Sequence, residues 1–190
     1  MIKYFIFLVF VLSSCQSARQ EDDHPKGRVI GEIKRKATEA IVKKYGFPCV
    51  GGGAEAMDEI RALHIAFQVR RVLQKEEGRR LLVDCVEELA AAANSHPELK
   101  NYFLDDKFGP EHAEITLFTC QPDGKEVYFP DIAVFSARKG YIRYRTVDKE
   151  NPNGYWTRED ETFPQAMAIL EAEKLNLFDL NSTAAKVERD

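Results

Sequence analysis

The apolar positions along this chain change period several times, and each change marks an element. An unbroken apolar run from Tyr4 to Leu12 comes first. Between Gly31 and Tyr45 the residues Ile33, Ala37, Ile41 and Tyr45 recur every fourth position, the spacing of one helix face. Gly46 stops that helix in the usual C-terminal place, and Pro48 follows. Cys49-Val50-Gly51-Gly52-Gly53 reads as a flexible loop. Then the period becomes two: Leu63, Ile65, Phe67 and Val69 alternate with His64, Ala66, Gln68 and Arg70, as in a half-buried strand. Lys75 to Asn94 returns to helical spacing, with Glu76 and Glu77 in the first turn and a stripe of Leu81, Leu82, Cys85, Leu89 and Ala92.

Ser95-His96-Pro97-Glu98 has the form of a capping box with an early proline, opening one or two helical turns toward Phe103. Three strands follow: Glu114 to Cys120, Lys125 to Ser136, and Tyr141 to Asp148. Gln121-Pro122-Asp123-Gly124 and Arg138-Lys139-Gly140 supply the turns between them. Pro130 belongs at an edge or a bulge of the middle strand, because it has no N–H to donate. Thr162-Phe163-Pro164-Gln165 opens a last helix, with Phe163, Met167 and Leu170 on one face. The connections among the last three strands are too short for parallel crossovers, so they form an antiparallel meander. The predicted fold class is α+β: a four-stranded, largely antiparallel sheet with helices on one face, in the order α-β-α-(α)-β-β-β-α. One domain over residues 29–178 holds this set, and a polar tail over 179–190 follows it. There is no internal repeat.

The first apolar run is too short to cross a bilayer, which needs about 20 residues, and it fits the core of a signal peptide behind the positive Lys3. It ends in Leu12-Ser13-Ser14-Cys15. This resembles the lipobox of bacterial lipoproteins, a leucine and two small residues before a cysteine. The resemblance implies a signal peptide over residues 1–14, removed on export, and diacylglyceryl on the Cys15 thiol. It also implies an envelope location at the outer membrane, since Gln16 stands where an inner-membrane protein of that family carries aspartate. Acyl chains contribute about 0.8 kcal/mol for each buried CH₂, so several of them hold a protein firmly. Residues 15–28 after the cleavage point are polar and broken by Pro25 and Gly27, and they read as a tether.

Composition narrows the function. The net charge is −4, and loss of Lys3 makes it −5, so the chain has no bulk attraction for nucleic acid. Gly51-Gly52-Gly53 lacks the lysine and hydroxyl residue of a phosphate loop, and there is no GxSxG elbow. None of His24, His64, His96 and His112 pairs at metal-ligand spacing, so no metal and no cofactor are assigned. Cys49, Cys85 and Cys120 leave an odd count beside Cys15, compatible with one disulfide or none. An envelope thiol enzyme or hydrolase would have to use Cys49 before its glycine run, or a histidine and carboxylates brought together in space, such as His112 with Asp105, Asp106 or Glu111.

The other candidate is a surface. Tyr141, Arg143 and Arg145 alternate onto one face of the last strand, as His64, Gln68 and Arg70 do on the first. If helices cover one side of the sheet, these six line the open side. Arg143 and Arg145 repel each other there, and each offers a donor fork that suits carboxylates. The expected function is a non-enzymatic module that binds an envelope protein or peptide, with the lipid on Cys15 as its membrane contact. Residues RRVLQKEEGRRLLVDCVEEL (70–89) and KEVYFPDIAVFSARKGYIRYRTVDKEN (125–151) resemble uncharacterised lipoprotein domains of chlamydia-like bacteria. That resemblance implies an envelope protein and transfers no site residue.

Overall fold

Helix α1 (Pro25–Tyr45) begins where His24 accepts a hydrogen bond from the Lys26 N–H at 3.3 Å and a proline fills the first turn. It ends at Gly46, whose φ of 71° is the left-handed conformation that a helix stop requires. Pro25 to Arg28, expected to be part of a tether over 15–28, are thus helical. The computed structural model describes residues 24–151 and 154–187. The signal segment 1–14, Cys15 and residues 16–23 lie outside that range.

The remaining elements are β1 (Cys49–Glu55), β2 (Ala62–Val69), α2 (Lys75–Asn94), β3 (Ala113–Thr119), β4 (Val134–Arg138), β5 (Tyr141–Val147), β6 (Tyr155–Thr162) and α3 (Phe163–Val187). The class is mixed α+β, with one sheet in the order β1-β2-β3-β4-β5-β6. Neighbours are antiparallel except β2 and β3, which run parallel on either side of the α2 crossover. The sheet has six strands where the sequence pattern gives four. The glycine run at Cys49 is not a loop but an edge strand: a Cβ on Gly52 would stand 2.5 Å from the His64 carbonyl oxygen, so glycine there permits close pairing. The second missing strand, β6, is mostly exposed and carries little apolar alternation. Most of the strand expected over Lys125–Ser136 is irregular, and β4 starts only at Val134, beyond Pro130. Ser95 closes α2 instead of opening a helix, and a single 3-10 turn (Leu99–Asn101) follows it. Residues 179–187 of the expected tail continue α3.

One set of alternating strand residues builds the core. Leu63, Ile65 and Phe67 of β2, Ile115 and Leu117 of β3, Phe135 of β4 and Ile142 of β5 are all buried. They cluster with Ile33 and Ile41 of α1 and Leu82, Val86 and Leu89 of α2. The other set of strand residues points away from the helices. Among the described residues no helix is long and apolar enough to cross a membrane.

Leu82 is fully buried, so Leu82→Ala should cost about 2–5 kcal/mol in urea unfolding. Gly78 is a second test, because an added Cβ would meet the Phe135 ring at 2.0 Å. Gly78→Ala should cost about 1–3 kcal/mol by overpacking. A loss under about 0.5 kcal/mol at Leu82 would show that this face of α2 is not the packed one.

Candidate functional site

Strand pairing lines up the outward residues in three rows. His64 lies beside Glu114, with Arg138 and Tyr141 further along. Thr116, Ser136, Arg143 and Asp160 form the middle row. Phe118, Val134, Arg145 and Arg158 form the third. All of them except Tyr141 and Asp160 line a concavity of about 600 Å³, whose lining comes from β2 to β6 and from no helix. Five of the six candidate residues take the expected side: His64, Gln68, Tyr141, Arg143 and Arg145. Gln68 does not line the hollow, and Arg70 is exposed just past the end of β2.

Arginine dominates the charge on this face. Arg138 is held by Glu114, with Nε to Oε1 at 2.8 Å. Arg145 Nη2 lies 2.6 Å from Asp160 Oδ1, while its Nη1 donates to the carbonyls of Tyr144 and Glu159. Its side chain is only 12% exposed. This corrects the expectation that Arg143 and Arg145 stand as two free, mutually repelling cations: Asp160 sits between them. Arg143 keeps more of its surface, 32%, and its Nε is 3.8 Å from Asp160 Oδ2, too far for a hydrogen bond. That nitrogen is buried without a hydrogen-bond partner. Burial lowers the His64 pKa, with Lys34 and Arg138 pushing the same way against Glu114. The ring is therefore a neutral partner to Thr116, Nε2 to Oγ1 at 3.3 Å, and not a further cation. Phe118 and Tyr155 add exposed aromatic surface at the margin.

The opposite face of β6 explains why this edge strand holds its place. Arg79 of α2 makes two hydrogen bonds to Glu161, from Nε at 2.7 Å and from Nη2 at 3.1 Å. Tyr144 donates to the same carboxylate, and Lys75 pairs with Glu159. Burial alone would raise the Glu161 pKa. The hydrogen bonds from Arg79 and Tyr144, and the charges of Arg79 and Lys75, outweigh it and hold the carboxyl below its ordinary range. Burial first, and then the bond to Glu161, push the Tyr144 phenol well up.

The cysteines are dispersed over the fold. Cys49 is exposed on β1, whereas Cys85 and Cys120 are buried, and all three are free thiols. Burial pushes the Cys85 thiol up to about 12, which suits a packing role. The structure does bring His112 to carboxylates: Nε2 is 3.1 Å from Asp105 and 3.4 Å from Glu111. Its Nδ1 is 2.9 Å from the Arg61 carbonyl oxygen, and Phe103 and Phe108 hold the ring. The hollow beside it is lined by carboxylates and Lys139 but by no serine, threonine or cysteine. Among the described residues no three His, Cys, Asp or Glu side chains are grouped to hold a metal ion.

No family model, no curated protein and no solved structure matches this chain.

Alternation in β2 and β5 identifies part of the open face but misses Arg158 and Asp160, because β6 does not announce itself as a strand. The run Thr157-Arg158-Glu159-Asp160-Glu161 is polar throughout and alternates neither in hydropathy nor in charge sign, yet Arg158 and Asp160 go to the open side and Glu159 and Glu161 to the helices. Removing Glu161 would leave the 5%-exposed Arg79 without its counter-charge. Glu161→Ala should therefore cost about 3–5 kcal/mol at pH 7. Since the folded carboxyl is held low, its contribution is whole above the unfolded value of about 4.3 and fades as pH falls through the lower folded value. Urea unfolding of both proteins at pH 7 and pH 3 should show the gap narrowing in acid. A gap that stays constant would mean that the Arg79–Glu161 charge pair is not its source.

Proposed function

We propose that this is a lipid-anchored cell-envelope protein whose domain binds an envelope protein or peptide on the open sheet face, without catalysis. The observation that carries the binding reading is a concave face holding four arginines against two carboxylates, on a chain whose net charge is −4. Arginine is over-represented at binding surfaces because its planar fork recognises carboxylates in two bonds. The partner is therefore one that presents acidic side chains. Support for the anchor comes from Leu12-Ser13-Ser14-Cys15 behind the apolar run, and Gln16 favours the outer membrane. Nine residue steps separate Cys15 from His24, so an acylated Cys15 would keep the start of α1 within about 30 Å of the bilayer.

Two experiments test the two halves of this reading. Cys15→Ala should abolish incorporation of labelled palmitate and leave the precursor uncut. Labelling that survives the change would end the lipoprotein reading. For the face, a photo-crosslinking residue in place of Tyr141 should capture an envelope partner, whereas one in place of Glu39 on α1 should not. The capture should disappear in Arg143→Gln/Arg158→Gln with thermal unfolding nearly unchanged, since neither arginine is bound up as Arg145 is. If every cross-link persists in that double variant, the face is only solvated surface.

A further inference from the structure

Counting the ion pairs on the open face leaves two guanidinium groups over. Arg138 is taken by Glu114 and Arg145 by Asp160. Arg143 shares Asp160 only at 3.8 Å and keeps a buried nitrogen without a hydrogen bond. Arg158 has no ion pair among the described residues, and its contact is the Tyr155 ring, with the guanidinium carbon 6.0 Å from the centroid. Arg158 is also registered directly opposite Arg145 across the β5–β6 pair. Like charges in that position destabilise a sheet. An anionic ligand would relieve the repulsion.

The register also says how the two arginines are spaced along the backbone. Arg143 pairs with Asp160 and Arg145 with Arg158, so Arg143 and Arg158 stand on one diagonal, and Asp160 reaches Arg145 along the other. Diagonal neighbours lie about 7–8 Å apart. In an extended peptide, residues i and i+2 share one face and are about 6.6 Å apart. The hydroxyls of Thr116 and Ser136 line the same floor and can donate to carboxylate oxygens, and Phe118 and Tyr155 offer apolar margins.

Resting on the binding reading above, we infer that Arg143 and Arg158 are two prongs for an extended peptide segment carrying acidic residues at i and i+2. One carboxylate takes the Arg143 fork and the other takes Arg158. The residue between them points out to solvent, so its identity is unconstrained.

The test uses the full chain in detergent micelles and labelled hexapeptides, acetylated and amidated to remove terminal charges. One peptide has two glutamates separated by a valine, a second has the same residues with the glutamates adjacent, and a third has one glutamate. Fluorescence anisotropy should show the spaced peptide binding at least tenfold more tightly than either of the others. Arg143→Gln and Arg158→Gln should each reduce that affinity to the single-glutamate level, with Arg35→Gln on α1 as an unaffected control. Inorganic phosphate should compete only weakly. Equal affinity for spaced and adjacent glutamates would overturn the inference, as would phosphate competing as well as peptide, or tight binding that survives in both variants. Arg158 is on an exposed edge strand, so its variant keeps the test open should Arg143→Gln fold poorly. A Tyr141-site cross-link that persists without any spacing preference would overturn this inference alone. Loss of both would overturn the binding reading as well.

Discussion

Gly78 lies so close to the Phe135 ring that the first carbon of any side chain would stand 2.0 Å from it. The contact brings the backbone of α2 down onto β4 at the middle of the sheet. One residue further on, Arg79 is then near enough to reach Glu161 on β6, and Lys75, a turn earlier, reaches Glu159. An edge strand with almost no buried apolar surface is in this way fastened to the core by charge. Strand alternation does the rest: with Glu159 and Glu161 committed to the helices, Arg158 and Asp160 must face the other way. The chemistry of the open face thus depends on a glycine and an ion pair on the buried side.

Asp160 has a divided task. It lies between Arg143 and Arg145 and satisfies the second far better than the first, at 2.6 Å against 3.8 Å. That difference is why Arg145 is mostly buried and bonded to two carbonyls while Arg143 is partly open. Without Asp160, three arginines on adjoining positions of two strands would repel without relief. With it, the sheet tolerates them but keeps an excess of positive charge. Departures from local pairing rules concentrate at sites that do something, and this is the clearest such departure on the described surface.

How much of this was legible in the sequence depends on which residues are buried. Strands β2, β3 and β5 announce themselves because one face is apolar, and Leu63, Ile65, Phe67, Ile142 and Tyr144 lie where alternation puts them. The helices at Ile33 to Ile41 and Leu81 to Leu89 are legible for the same reason. The two edge strands are not. In β1 the glycines carry no side-chain pattern at all, and what selects a strand there is backbone approach to His64. In β6 the residues from Thr157 to Thr162 are all polar, so neither hydropathy nor charge sign alternates along it. The consequence for the site is specific: Tyr141, Arg143 and Arg145 could be placed on the open face, but the partner that quiets Arg145, and the second free arginine, both come from β6.

The choice of arginine over histidine or lysine on this face also has a physical consequence. His64 is there too, but burial lowers its pKa and leaves it neutral. The positive charge is therefore carried by guanidinium groups, which stay protonated throughout the physiological range. A lysine in place of Arg145 could not make the same set of contacts, because one planar group here meets a carboxylate and two backbone carbonyls at once. Geometry is fixed by the same bonds: Arg145 is held by its partners, with its side chain only 12% exposed. A fork held in place before a ligand arrives gives up less side-chain entropy on binding than a free lysine would. If the face binds acidic peptides as proposed, it would discriminate between carboxylates by where they stand, whereas mobile, solvated cations would respond mainly to how many there are.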